Sequence, residues 1–331
     1  MSNLISEKKG GDSVQVATEP KSTRIDLAKQ DQATLIRMLT QIIADGRQIV
    51  IPIGFPAAGK SLFLSSLMYY AECYPHKKWQ GHALNDGIFR QGNMSRNKMV
   101  KQIDPKNHED IYPQTDPGTL DIIGIDIEPE ITNCPILPLA FIDLSGEDIK
   151  EIKTDEKGEF GRQIEGILKA CEEASPVFCM ITPYKSPKYT DSEENALHSN
   201  FMAYLRESLP DLYATAKFIF IVSQWDKKPQ TVNLDVETFI EEKRSALHTA
   251  TRGRKKEDVC YGEFSIGKLT DSYKKVKKKN ENGEEEEIEV PTVLITRLDT
   301  EYPGKFWENL YELITGKSLI PGGCWKKFFP F

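Results

Sequence analysis

The sequence predicts an α/β fold in three layers, a mostly parallel sheet with helices on both faces and with insertions. Three observations lead there. Short runs that are apolar throughout or, in the last case, after a leading lysine, such as Ile49–Ile53, Leu137–Ile142, Pro176–Ile181 and Lys217–Val222, have the length and composition of strands buried on both faces. Amphipathic helical segments alternate with them. One run, Ile49–Ile53, leads directly into a Gly-containing loop and then a helix, a unit that brings a backbone turn to the end of a central strand.

In chain order, residues 1–24 are polar and aperiodic and are expected to be a disordered tail. Residues 25–46 carry an N-terminal helix, with Leu35, Ile36, Met38, Leu39, Ile42 and Ile43 at helical spacing, Asp31 as cap and Gly46 as stop. The main domain is expected over 47–316. Pro52 fits poorly in its first strand, because it has no N–H for a ladder, and requires a bulge or one-sided pairing. After the loop, Leu62–Tyr74 reads as a helix with Leu64, Leu67, Met68 and Ala71 inward.

Residues 79–117 are polar and weakly patterned and read as a long irregular insertion. Leu120–Ile127 alternates like a half-exposed strand. Then come the strand Leu137–Ile142, an amphipathic helix within Arg162–Ala174, the strand Pro176–Ile181 and a helix opened by the capping box Thr190/Glu193. The strand Lys217–Val222, a helix over roughly 235–250, strands near Val259–Ile266 and Val293–Ile295, and a helix over Lys305–Ile314 complete the pattern.

Between the last strands, residues 273–290 place a lysine block before a glutamate block. This reads either as disorder or as a charged hairpin turning at Glu281–Gly283, with Val276 opposite Ile288, Lys278 opposite Glu286 and Lys275 opposite Glu289. The tail 317–331 is aromatic and basic, suited to packing on its own domain or to docking on a partner or a membrane interface.

Composition excludes several classes. The chain has 331 residues, 39% of them hydrophobic and 28% charged, with net charge −7. An acidic chain is not one that coats itself with nucleic acid. No run approaches the roughly 18 apolar residues of a membrane span, so no stable membrane insertion is expected. No signal-like apolar stretch opens the chain, and the six cysteines and five histidines show no metal-ligating spacing. These features predict a cytoplasmic protein without a structural metal.

The loop Gly54-Phe55-Pro56-Ala57-Ala58-Gly59-Lys60-Ser61 has the spacing of a phosphate-binding loop. Its backbone amides, from Gly54, Ala57, Ala58, Gly59, Lys60, Ser61 and on to Leu62, are suited to cradling phosphates at a helix N-terminus. Lys60 is expected to reach the outer phosphates and the Ser61 hydroxyl to ligate Mg2+. The fold class is therefore that of a P-loop NTPase three-layer sandwich. Asp143 ends a buried strand, where holding the magnesium shell explains a carboxylate, and Gly146 offers its N–H to a terminal phosphate. Asp226, after another buried strand, is either an acceptor for the N1–H and 2-amino group of guanine or a surface acid or helix cap.

Together Gly54–Ser61, Asp143-Leu144-Ser145-Gly146 and Ser223-Gln224-Trp225-Asp226 resemble the ordered motifs of Ras-like GTPases of the translation-factor-related (TRAFAC) class. Within it they look most like bacterial double-GTPase-like GTPase-domain proteins. The resemblance implies a GTP/GDP switch that hydrolyses GTP and works through a protein effector or activator. It also implies a magnesium-binding switch threonine, Thr115 or in reserve Thr119. A base-side motif is implied at Phe264-Ser265-Ile266-Gly267-Lys268, bringing Ser265 to the base, or else at Thr296-Arg297. Gln224 stands where the family has a base-packing lysine. Glu147 falls at the family's water-orienting glutamine, which implies slow hydrolysis aided by a partner. An assisting arginine is sought at Arg90 or Arg96. An ATP-dependent phosphotransferase or ATPase, or a nucleotide-stabilised scaffold without turnover, are the alternatives.

Overall fold

The structure, a computed structural model, describes residues 24–106, 116–131, 134–153, 158–279 and 285–317. The backbone alone is described at 272, 274–279 and 285–293. The N-terminal part runs β1 (Ile25–Asp26), α1 (Gln32–Ala44), β2 (Gln48–Ile53), α2 (Lys60–Cys73), β3 (Trp79–Ala83) and α3 (Arg90–Ile103). The middle runs β4 (Thr119–Pro129), β5 (Leu137–Leu144), α4 (Gly146–Lys150), α5 (Gly161–Ala170), β6 (Val177–Pro183), α6 (Asp191–Ser208), α7 (Pro210–Thr215) and β7 (Lys217–Ser223). Then follow α8 (Val236–Lys243), α9 (Ser245–Thr251), β8 (Val259–Glu263), β9 (Gly267–Lys279), β10 (Glu285–Leu298) and α10 (Glu301–Thr315).

Eight strands form one mixed sheet in the order β1-β4-β5-β2-β6-β7-β8, with β3 also on β4. Strands β5, β2, β6, β7 and β8 are parallel, and β4 runs antiparallel to β5, β1 and β3. The strand period of two divides the core. Ile49, Ile51, Ile53, Phe178, Met180, Phe218 and Phe220 pack with α1 and α5–α9 on one face. Val50, Val177, Cys179, Ile181, Ile219 and Ile221 pack with α2, α3 and α10 on the other. Strands buried on both faces explain the uninterrupted apolar runs, and the three-layer α/β expectation holds.

Pro52 is accommodated by one-sided pairing. Strand β2 pairs with β5 only through Val50 and continues beside β6 alone to Ile53. Asp31 caps α1 by accepting from Thr34 N–H, and the Thr190/Glu193 capping box is present on α6.

Four expectations need correction. Residue Arg24 and strand β1 stand where a tail and the start of a helix were expected; Ile25 and Leu27 are buried, and α1 begins only at Gln32. Residues 1–23 lie outside the described residues.

The described part of 79–117 is largely regular rather than irregular, with β3 on the sheet edge and α3 against β4. The buried face of α3 is Gly92, Ser95, Arg96, Met99 and Ile103, so it lacks the apolar stripe that announces a helix. Gly92 allows the contact: a Cβ there would stand 2.0 Å from the Ile122 carbonyl oxygen.

Strand β4 is not half exposed. Leu120–Ile125 are all buried because helices cover both of its faces, and Asp121 is buried with them. Finally, the helix over 235–250 is two helices broken at Arg244, whose buried guanidinium binds Thr182 Oγ1, the Pro183 carbonyl and Asp191.

The run Val293–Ile295 belongs to β10, which pairs with β9 outside the main sheet. That ladder sets Val276 opposite Ile288, Lys278 opposite Glu286 and Lys275 opposite Glu289, the register expected from the charges. Its Glu281–Gly283 turn and the tail from 318 lie outside the described residues. Among the described residues no helix is long and apolar enough to cross a membrane.

Candidate functional site

Strand β2 stops at Ile53 and α2 starts at Lys60, so Gly54–Gly59 form the loop at the C-terminal end of the central parallel strand. Ala57 (φ +69°) and Gly59 (φ +86°) turn the chain through left-handed conformations into the helix. Gly59 caps α2 without a side chain, which leaves the partial positive charge of the first turn facing the loop.

Lys60 is buried, and its Nζ contacts Asp143 Oδ1 directly. The other oxygen of Asp143 lies 3.4 Å from Nη1 of Arg24. Arg24 Nε is 3.2 Å from Asp121 Oδ2 but off the hydrogen-bonding direction, so that contact is an ion pair only. Asp121 sits opposite Asp143 in the β4–β5 ladder and accepts from Ser95 Oγ at 2.9 Å. Burial pushes the Asp121 carboxyl up to about 7, against the lowering effect of Arg24.

Gly146 opens α4 beside the loop; a Cβ on it would stand 2.6 Å from the Gly54 carbonyl oxygen. Glu147 follows, and its carboxylate is 2.9 Å from Lys188 Nζ and 3.7 Å from Lys150 Nζ. Two lysines thus balance the charge that Glu147 brings to this turn. Asp148, pushed up to about 6 by burial, accepts from Gly118 N–H at 2.8 Å and ties α4 to the start of β4.

On the far side of the loop, Ser223 Oγ donates to the Ala58 carbonyl at 2.6 Å. Gln224 (φ +56°) turns the chain, and Trp225 N–H donates to the Phe264 carbonyl at 3.1 Å. Gln224, the exposed Asp226 and the buried Ser265 are thereby brought to one edge, joined to the loop through Ser223. The alternative Thr296 is in the hairpin strand β10, bonded to the Lys268 carbonyl. Thr115 lies outside the described residues. Thr119 opens β4, with its hydroxyl on the Asp116 carbonyl. Arg96 is committed to Glu72, Asn93 and Asn97 between α2 and α3, and Arg90 lines a cavity of about 430 Å³ with Met38, Ile88 and Met94.

Sequence reasoning left out Arg24 and Asp121, and gave Ser223 no role of its own within its motif. The alternation of Ile25 and Leu27 hinted at a strand, and the antiparallel register of β4 on β5 would have placed Asp121 beside Asp143. Among the described residues no group of three or more His, Cys, Asp or Glu is arranged to hold a metal ion.

Beneath the loop, the Phe55 ring meets that of His198 edge-on at 4.9 Å. His198 is fully buried, and the 3.6 Å separation from Glu194 is too long for a hydrogen bond. Burial, aided by the Arg244 charge, lowers the imidazole to about 3. The unfolded chain then binds the proton first, so stability is lost as pH falls below the ordinary histidine value of about 6.5. This group alone is expected to remove about 3 kcal/mol between pH 7 and pH 4. Urea unfolding of His198→Phe across that range should show a correspondingly shallower decline. Parallel pH profiles would refute a buried neutral imidazole.

The sequence was also compared with known protein families and with curated proteins, and no family model and no curated relative matches it.

Proposed function

We propose that this chain is a GTP-binding switch of the Ras-like, translation-factor-related type, most similar to bacterial double-GTPase-like proteins. It binds GTP with Mg2+, hydrolyses it slowly and signals to a protein partner. The observation that carries the proposal is the buried contact of Lys60 with Asp143, across a loop that links the central strand to a helix. A lysine so placed is one turn of its side chain from an anion held on the loop amides. The donor set also fits magnesium: the Ser61 hydroxyl and Asp143 carboxylate are hard oxygen ligands, and such an ion takes its remaining ligands from phosphates and water. When bound, the ion would neutralise charge on the outer phosphates.

Gly146 and the Gly118–Asp148 tie lie between the loop and the start of β4. A terminal phosphate acting on Gly146 would be felt at β4 and at the Thr115 segment before it, giving a partner two surfaces to read. The expected results are preferential binding of Mg·GTP over Mg·ATP and single-turnover phosphate release on the order of 10⁻³ s⁻¹. Preference for ATP would overturn the guanine assignment, and tight binding with no phosphate release would leave a scaffold rather than an enzyme.

A further inference from the structure

We propose that the segment Trp325–Phe328 docks in a cavity between the C-terminal end of α2 and the first half of α10, with its lysines on Glu130 and Glu308 and its aromatic rings on Tyr70 and Tyr74. The occupant is a stretch of this same chain that follows α10 and lies outside the described residues. Docking there is independent of the nucleotide reading.

The cavity, of about 760 Å³, lies at the opposite end of α2 from the phosphate-binding loop. Tyr70 and Tyr74 stack with ring centres 5.5 Å apart and form one wall. The Tyr70 hydroxyl accepts from Lys78 N–H at 3.2 Å, and Glu130 N–H donates to the Lys78 carbonyl at 2.9 Å, which fixes the chain past β4 against that wall. Helix α10 forms the other side. It comes close because of Gly304, where a Cβ would stand 3.0 Å from the Tyr70 hydroxyl oxygen.

Charge selects the ligand. The cavity carries the carboxylates of Glu130, Glu301 and Glu308 and the ammonium groups of Lys78 and Lys305, with His76 beside Tyr74. Lys305 is engaged, its Nζ 2.7 Å from Glu301 and 3.6 Å from Glu263. The Glu130 and Glu308 carboxylates make no ion pair or hydrogen bond among the described residues, and Lys78 and Lys305 act on Glu308 only from beyond ion-pair distance. Burial holds the Glu308 carboxyl above its ordinary value, so an ammonium group brought beside it is favoured. Aromatic faces next to carboxylates suit a cation flanked by rings, since the ammonium gains from both. An anionic or purely aliphatic occupant would leave both carboxylates unmatched.

The sequence after α10 supplies that chemistry within reach. Residues 316–331 contain Lys317, Lys326 and Lys327 and no acid, and Trp325 and Phe328 flank the lysine pair. Gly316 (φ +68°) ends α10 with its N–H on the Glu312 carbonyl. Pro321-Gly322 then has the chemistry of a chain reversal. The helix from Lys305 to Thr315 is about 15 Å long, whereas the chain from Lys317 to Trp325 can span about 26 Å. A tether this short holds the segment at an effective concentration on the order of millimolar, so contacts too weak for separate molecules suffice.

Native thiols report the contact: Cys73, exposed on α2 one residue before Tyr74, and Cys324, one residue before Trp325. The full-length protein, kept dilute, is treated briefly with a short bismaleimide, and linked peptides are identified by mass spectrometry. The expected main product at Cys324 is a link to Cys73 within one chain. Lys326→Glu with Lys327→Glu should lower its yield about fivefold or more, and adding Glu130→Lys with Glu308→Lys should restore it. Should the restoring variant fail to fold, Trp325→Ala with Phe328→Ala decides, and must lower the yield by a similar factor with the acids intact. Absence of the Cys73–Cys324 link overturns the inference. So does a yield unmoved by reversing the lysines, which would reduce the link to chance encounters of a tethered thiol. A link between two chains would assign the cavity to a second copy. Recovery of wild type on anionic vesicles without the link would assign the segment to a membrane surface. Either result also overturns docking within one chain.

Discussion

Lys60→Ala is expected to lower affinity for a magnesium-bound triphosphate by at least about a hundredfold, measured by calorimetric titration. The side chain would supply charge-assisted contacts to two phosphates, each worth about 1.5–3 kcal/mol, and every 1.4 kcal/mol is about tenfold. A stability effect accompanies the binding effect, because Lys60 is also the closest cation to the buried Asp143. Breaking a buried pair from one side costs about 3–5 kcal/mol when the remaining charge has no other partner. Here Arg24 remains on the second oxygen of Asp143, so the cost should fall below that range. Denaturant unfolding of the variant separates the two effects. A folded Lys60→Ala protein that still binds the triphosphate tightly would sink the site assignment, since no other residue of the loop carries a side-chain charge.

The same residues show what the sequence could and could not disclose. The central strand, loop and helix were legible because strand burial, glycine placement and helix capping are local properties, encoded within a few residues. The layering followed from the apolar runs, since a strand buried on both faces has no polar side to hide. Helix α3 was illegible for the opposite reason. The small and polar part of its buried face, Gly92, Ser95 and Arg96, meets neighbours distant in sequence: Gly92 lies close against the Ile122 carbonyl, Ser95 donates to Asp121 and Arg96 pairs with Glu72. Asp121 failed in the same way. A carboxylate in an alternating run reads as solvent-facing until the register with β5 places it beside Asp143. Arg24 lay at the edge of a polar tail, and its importance comes from a two-residue strand whose pairing no local pattern specifies. Ser223 entered only as the first residue of its motif, yet its hydroxyl provides the tie between the loop and the Asp226 edge.

Asp226→Asn tests the other end of the proposed site. An ionised carboxylate only accepts hydrogen bonds, and guanine offers it two donors on adjacent positions, N1–H and the 2-amino group. An amide has one acceptor and one donor face, which mismatches the 2-amino group but matches the carbonyl that xanthine carries there. Loss of one charge-assisted bond, with a repulsive donor–donor contact in its place, is expected to weaken GTP binding about a hundredfold while strengthening XTP binding by a comparable factor. The surroundings favour a positioned side chain: the Trp225–Lys227 turn that carries Asp226 is pinned by Trp225 N–H on the Phe264 carbonyl, next to Ser265, and Ser223 joins it to the loop. Because Asp226 is exposed and caps no helix, the substitution should leave folding intact, so the exchange of preference reads recognition alone. Competition of XTP and GTP against a fluorescent nucleotide gives the ratio directly. A variant that binds GTP as wild type does, with no gain for XTP, would remove Asp226 from the base site and leave the guanine preference resting on other residues.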